Sequence, residues 1–379
     1  MAALAQDLKR RGGDLPARRV RAWGGPRMRR GGHEHGTLLA LARRLAELNG
    51  WAWGGESPGG EAGLRPYLVP QCTLEREEAR AAGVEHPDDL FGGVVPHAFV
   101  GTKLVSHPAV GRHAAVPGGW VHGLGAALEG TVLPGFSVFG ADEAHAAFQQ
   151  LVPLGPVRLK LARGIGGDGQ WVVHDAATLE RVLGALPAGE LAAHGASLEQ
   201  NLEQATTYSI GTAECGRHAI AYTGVQRTTR RHDGAEAYGG STLEVVRGGF
   251  DALGVAGLPA ELAPILDQVR RYDARMDEAF EGFHASRRNY DVVAGVDAAG
   301  RPCSGVLEQS WRIGGASPAE ILAMEHFAAD RSLQRIRVSC HESYGGRPPP
   351  GAVVHYDEED PRVGRLVKYA MVEGNGHAS

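Results

Sequence analysis

Apolar positions in HEHGTLLALARRLAELNG fall at Leu38, Leu39, Leu41, Leu45 and Leu48, a helical spacing, and Gly50 stands where a helix C-cap belongs. The pattern predicts an amphipathic helix. A glycine-rich stretch, GGESPGGEAGL, leads into the apolar RPYLVPQCTL, which reads as a strand, and residues 75–83 read as a second helix. Together they predict a small α/β domain over residues 37–95. Residues 121–134 and 141–151 are helix-like with Pro and Gly punctuation, and PVRLKLA reads as a strand. After GIGGDG comes QWVVHD, rich in β-branched residues, and only then the helical DAATLERVLGAL. The glycine-rich loop is therefore predicted to join two strands as a hairpin flap.

Further on, ASLEQNL, TTYSIGTAE and HAIAYTGVQR read as strands, and the chain from Pro259 to about Phe280 as a helix. DVVAGVDAAGRPCSGVLEQS reads as a hairpin turning at Ala299 and Gly300. Past residue 320 the pattern weakens, and residues 326–379, with GGRPPPG as a turn-rich link, read as a tail segment. Residues 1–36 read as a basic, flexible arm carrying Arg10, Arg11, Arg18, Arg19, Arg21, Arg27, Arg29 and Arg30. The arm lacks the apolar core of a secretory signal.

A length of 379 residues predicts two or three domains packed into one body. The net charge of -5 gives no global basic field, so neither nucleic acid nor an anionic membrane is an expected partner. No run of eighteen apolar residues occurs. Cys72, Cys215, Cys303 and Cys340 lie far apart without a CxxC pair, which predicts reduced thiols and a cytoplasmic protein rather than a disulfide framework or a zinc site. Positive charge is carried almost wholly by Arg, and Lys9, Lys103, Lys160 and Lys368 are the exceptions. Phosphate contact by a compact ammonium is one reason to keep them.

Gly164, Gly166 and Gly169 match GxGxxG literally, but in a dinucleotide fold the third glycine opens a helix, whereas here an extended segment follows. A protein kinase would add VAIK, HRD and DFG, and none is present. Lys160 precedes the loop at a strand end, and backbone N–H groups beside a lysine suit phosphates. The second cluster is SRRNYDVVAGVDAAGRPCSGVLEQSWRIGG. Asp291 and Glu308 lie on the two arms of the predicted hairpin, where paired carboxylates can hold magnesium between phosphate oxygens. Arg287, Arg288, Arg312, Gly314 and Gly315 gather cationic and backbone donors beside them.

Taken in order along the chain, these parts resemble the ATP-grasp superfamily over roughly residues 90–320. The phrases DDLFGGVVPH, YGGS and SRRNYD are similar to a bacterial branch of it, a domain of unknown function. The resemblance implies an α/β fold in which two α+β lobes sandwich a nucleotide, the first over residues 96–200 and the second over 201–325. It implies ATP and Mg2+ as cofactors, with Lys103 and Lys160 on the phosphates and Gly164, Gly166, Gly167 and Gly169 in the flap above them. The adenine hinge would be Leu198, Glu199, Gln200, Asn201 and Leu202. The ribose would meet Thr206 or Thr207, or Glu203 if the register slips, where family members usually carry an acidic residue. The metal ligands would be Asp291, Glu308 and Ser310, the last standing where the family usually has Asn. Arg288 would stabilise charge on an acyl oxygen, and the Gly314 N–H would complete an oxyanion pocket.

The activity so implied is phosphorylation of a small-molecule carboxylate and displacement of phosphate from the acyl phosphate by an amine or thiol. A non-catalytic ATP-binding module and an ATP-dependent kinase using the same cleft are the alternatives. A homodimer is compatible with each. The substrate pocket is expected between the N-terminal domain and the second lobe, where HEHG, YGGS and SRRN would converge.

Overall fold

The computed structural model describes residues 17–25, 30–56, 64–164, 168–255 and 257–375. Near the N-terminus, β1 (Arg18–Trp23), β2 (Ala52–Trp53) and β3 (Arg65–Pro70) form a parallel sheet of order β2-β1-β3. Helix α1 (His33–Asn49) covers it with Leu38, Leu41 and Leu45 fully buried, and Gly50 ends the helix at φ 64°. β1 corrects the expectation of a flexible arm through residue 36. Its alternating Val20 and Ala22 are core residues, and the buried Arg18 donates to the buried Asp89 at 2.8 Å. Arg-rich composition hid a central strand. Beyond it come β4 (Leu74–Glu75), α2 (Arg76–Ala81) and β5 (Gly93–Val95).

A second layer contains α3 (Leu124–Ala127), β6 (Gly135–Val138), α4 (Ala141–Leu151), β7 (Val157–Leu161), β8 (Gln170–Val173), α5 (Ala176–Ala185), α6 (Glu190–His194) and β9 (Ala196–Gln200). Only one turn of the helix expected over 121–134 forms. The strands make an antiparallel sheet of order β6-β9-β7-β8. One face of this sheet is sealed by Ala144, Ala147, Phe148 and Leu151 of α4 and Leu179 of α5 against Val157, Leu159, Ala196 and Leu198. Strand period then turns Arg158, Lys160, Ser197 and Glu199 to the other face.

The largest sheet is antiparallel and has eight strands: β10 (Glu203–Cys215), β11 (His218–Arg230), β12 (Glu236–Arg247), β14 (Arg287–Val296), β15 (Pro302–Ser310), β16 (Arg335–Ser343), β17 (Val353–Asp360) and β18 (Gly364–Asn375). The remaining strand, β13 (His284–Ala285), pairs with β5 instead. Strand order is β15-β14-β10-β11-β12-β16-β18-β17. The expected tail of residues 326–379 thus supplies β16, β17 and β18. On one face of the sheet, Ile210, Ala221, Tyr290 and Val292 pack with α7 (Phe250–Val255) and α8 (Ala263–Ala279). On the other, Tyr222, Leu243, Val245, Ile336 and Val338 pack with α1 and α9 (Ser317–Ala329). α9 is buried from Ser317 through Met324, so it shows no amphipathic stripe. Asp360 at the end of β17 accepts the His33 N–H at 2.7 Å, so the C-terminal hairpin caps α1 across 327 positions.

Candidate active site

Between β9 and β10 only Asn201 and Leu202 carry the chain from the four-stranded sheet to the eight-stranded one. Their surroundings make this crossing firm. Arg158 Nη2 donates to Asn201 Oδ1 at 2.7 Å, and Leu202 packs with Leu133 and Val293. Gln204 follows at φ 49°, the one non-glycine residue with positive φ among those described, where the β10–β14 register shifts. Thr207 stands next along β10 opposite Val293.

Lys160 leaves β7 on the cleft face and meets Glu199 across the sheet, Nζ to Oε1 at 2.7 Å, with both side chains buried. Glu199 also bonds His107 Nε2 at 3.1 Å. Burial alone would raise this carboxyl, but Lys160 and then His107 outweigh it and hold Glu199 at about 2. The Glu199 side chain is thus a clamp on Lys160. At the neck of the flap, Leu161 N donates to Gly169 O at 2.9 Å, and a Cβ at Gly164 would lie 2.3 Å from Asp168 O. Gly169 sits at φ +71°. A hairpin rather than a helix follows β7, which removes the dinucleotide reading of the GxGxxG match. Gly166 and Gly167 lie outside the described residues.

Lys103 opens a buried 3-10 turn capped by Thr102, whose Oγ1 accepts from Leu104 N at 3.3 Å. Its Nζ donates to Gly164 O at 3.0 Å and lies 3.2 Å from Glu308 Oε2. One ammonium therefore joins the flap to the eight-stranded sheet. Asp291 and Glu308 are direct partners across β14 and β15, with a bulge just beyond that turns both onto one face. Ser209 Oγ donates to Asp291 Oδ1 at 3.2 Å and Asn289 Nδ2 does so at 3.0 Å. Burial first, and Glu308 second, push the Asp291 carboxyl up. For Glu308, desolvation is outweighed by Lys103 and Lys160, which hold it below its ordinary value.

Magnesium fits these donors. Two carboxylates of like charge face each other at half-buried positions, and no group of three or more His, Cys, Asp or Glu residues gathers to hold a metal among those described. Two carboxylates suit an ion that keeps phosphate oxygens and waters as its other ligands. Ser310 lies on the same face, where its Oγ accepts from Arg287 Nη1 at 3.4 Å.

Two expected residues are corrected. Arg288 is on the opposite face from Asp291, as strand period requires of residues three apart. It donates to Asp273 at 2.6 Å and Asp277 at 3.0 Å and packs over Phe283, so it serves the α8 layer. The Gly314 N–H donates to Ser317 Oγ at 3.0 Å and is not a free oxyanion donor. Arg312 is the guanidinium on the carboxylate side: it helps to lower Glu308, and its Nη1 donates only to the neighbouring Ile313 O at 2.8 Å in the described contacts. Sequence reading passed over His107, whose distance from Glu199 gives no local signal. It also passed over Tyr222 and Glu320, whose side chains meet at 2.6 Å.

Two antiparallel-rich lobes joined at a two-residue hinge, with lysines and a glycine flap on one and paired carboxylates on the other, give the chain the ATP-grasp fold. The structure is similar to the N5-carboxyaminoimidazole synthetase from Staphylococcus aureus complexed with ADP, at a TM-score of 0.53 and 11% identity over 95% of this chain and 94% of that one. It is similar also to the phosphoribosylamine-glycine ligase from Thermotoga maritima, at 0.53 and 14% over 93% and 91%. Residues 25–370 match the family described as Protein of unknown function (DUF3182), and the chain belongs to that family. No protein with a curated description matches the sequence. No described helix is long and apolar enough to cross a membrane.

Proposed function

We propose that this chain is an ATP- and magnesium-dependent ligase that activates a carboxylate as an acyl phosphate for attack by an amine or thiol. The observation that carries the reading is the Lys103–Glu308 contact at 3.2 Å, in which the ammonium of a buried 3-10 turn, also bonded to Gly164 O at the flap, meets a carboxylate of the eight-stranded sheet. ATP would lie between the sheets with adenine at Glu199–Leu202 and ribose near Thr207. Lys103 and Lys160 would hold the β- and γ-phosphates, under the flap that begins at Gly164 and ends at Gly169. Asp291 and Glu308, with Ser310 beside them, would hold magnesium, which would supply neutralisation of the phosphate charge.

In the first step a carboxylate oxygen of the substrate attacks the γ-phosphorus, and the bond to the β–γ bridging oxygen breaks to release ADP. An amine nitrogen or thiol sulfur then attacks the acyl carbon, phosphate leaves, and the nucleophile's proton passes to solvent. Arg312, rather than Arg288, takes the charge that builds on the acyl phosphate. Residues 96–200 and the eight-stranded sheet, which runs from β10 through β18, would be the two lobes on either side of the nucleotide.

The test is ADP release with panels of small carboxylic acids, with and without hydroxylamine. Acid-dependent, magnesium-dependent ADP release with hydroxamate formation supports an acyl phosphate. A phosphorylated alcohol or guanidine as product would move the reading to a kinase, and ATP binding without release under any acid to a binding module.

A further inference from the structure

A chain of buried polar groups runs beneath the site and ends at Asp291. Glu320, on α9, is fully buried and accepts from Arg287 twice, from Nη2 at 2.7 Å and Nε at 2.8 Å. Arg287 is 1% exposed, and its Nη1 donates to Ser310 O at 2.9 Å and to Arg312 O, the two backbone carbonyls that flank the turn after Glu308. Tyr222, also fully buried, has its hydroxyl 2.6 Å from Glu320 Oε1 and 2.8 Å from Asn289 Oδ1. Asn289 Nδ2 then donates to Asp291 Oδ1. Space for the hydroxyl comes from Gly211, where a Cβ would stand 2.5 Å from it. Removing one partner from such a group leaves a buried charge or amide uncompensated, so the set is either whole or costly.

We infer that Glu320, Arg287 and Tyr222 are positioning residues that fix the metal carboxylate and the Arg312 turn from one anchor. The inference rests on the proposed metal site at Asp291 and Glu308. One branch, through Tyr222 and Asn289, orients the Asp291 carboxylate. The other, through Arg287, holds the carbonyls of Ser310 and Arg312 and so sets where the Arg312 guanidinium begins. Groups that orient a ligating carboxylate typically change metal affinity by about 10- to 100-fold when removed. The two branches separate by mutation, because Tyr222→Phe cuts only the first.

The experiment is Mn2+ binding in the presence of ADP, followed by electron paramagnetic resonance, on the full chain without turnover. Four proteins are compared: wild type, Asp291→Asn, Tyr222→Phe and Glu320→Gln. Tyr222→Phe conserves shape and keeps the fold readable if Glu320→Gln does not fold. The expected result is loss of ADP-dependent Mn2+ binding in Asp291→Asn and at least a tenfold weaker Mn2+ affinity in Tyr222→Phe, with ADP affinity in the absence of metal unchanged. Asp291→Asn with wild-type binding overturns the metal site and the inference with it. Loss in Asp291→Asn beside wild-type affinity and spectrum in Tyr222→Phe overturns the inference alone.

Discussion

Lys160 and Glu199 form a buried ion pair that faces the cleft, Nζ to Oε1 at 2.7 Å, and His107 completes it from the loop before α3. The lysine proposed to hold phosphate therefore already has a carboxylate partner. Breaking a buried pair from one side leaves the other charge stranded, at a cost of about 3–5 kcal/mol. Lys160→Ala is expected to lower the melting temperature of the protein alone and to remove the ATP-dependent rise. Wild type should gain about 2.7 kcal/mol at one hundred times the dissociation constant. An ATP-dependent shift that survives intact in Lys160→Ala would place the nucleotide elsewhere.

The same pair predicts an acid limb. Glu199 sits at about 2 in the folded protein against an ordinary value of 4.5, a depressed carboxylate. Its contribution is complete above pH 4.5 and is lost as pH falls toward 2, because the unfolded chain takes up the proton first. Glu199→Gln removes this titration. Melting temperatures measured from pH 6 to pH 2.5 should show the variant below wild type at pH 6 and the gap narrowing as pH falls. Parallel curves would mean that Glu199 is not the titrating group.

How much of this was legible can be read from single residues. The hairpin flap followed from QWVVHD after GIGGDG, and the β14–β15 hairpin from turn chemistry at Ala299 and Gly300, but the turn register alone sets Asp291 opposite Leu307, and it is the bulge between Asp291 and Val292 that brings Glu308 opposite it. Strand parity was also available: Arg287, Asn289 and Asp291 share a face, and Arg288 does not, a signal that proximity in sequence obscured. β1 was masked by its arginines, two of which, Arg18 and Arg21, are buried. β17 is an edge strand whose YDEED run carries charge along it, so it lacks the apolar alternation of inner strands. Glu320 had no local signal. It lies in a helix buried on nearly every side and acquires meaning only from Arg287 and Tyr222, which come from other strands.

Arg288 and Arg312 give opposite expectations. Arg288 bridges Asp273 and Asp277 within the α8 layer, and its loss leaves the half-hidden Asp273 without a cation. Arg288→Met should destabilise by roughly 2–4 kcal/mol and leave kcat near wild type at temperatures where it is folded. Arg312→Met should keep stability within about 0.5 kcal/mol and reduce turnover about a hundredfold with little change in ADP affinity. Denaturant melts beside single-turnover rates decide between them. The reverse pattern would restore Arg288 to the reaction.

The final prediction concerns the metal requirement. Glu308 is the carboxylate on which both Lys103 and Lys160 act, and its side chain remains 38% exposed toward the cleft. Glu308→Gln keeps the shape and removes the charge, so folding should survive. Turnover should fall about a hundredfold, equivalent to roughly 2.7 kcal/mol of barrier, and saturating magnesium should rise. Ser310 differs, because its hydroxyl is already within 3.4 Å of Arg287 Nη1 and a Cβ at Gly314 would lie 3.4 Å from it. Gly314 offers no side chain to obstruct a longer residue there. Ser310→Asn should therefore be tolerated and should lower the magnesium concentration needed for half-maximal ATP turnover, since an amide oxygen reaches a second ion better than a hydroxyl held by arginine. Magnesium titrations of turnover for the two variants and wild type test both statements. Unchanged turnover and unchanged magnesium dependence in Glu308→Gln would put the metal somewhere other than the β14–β15 pair.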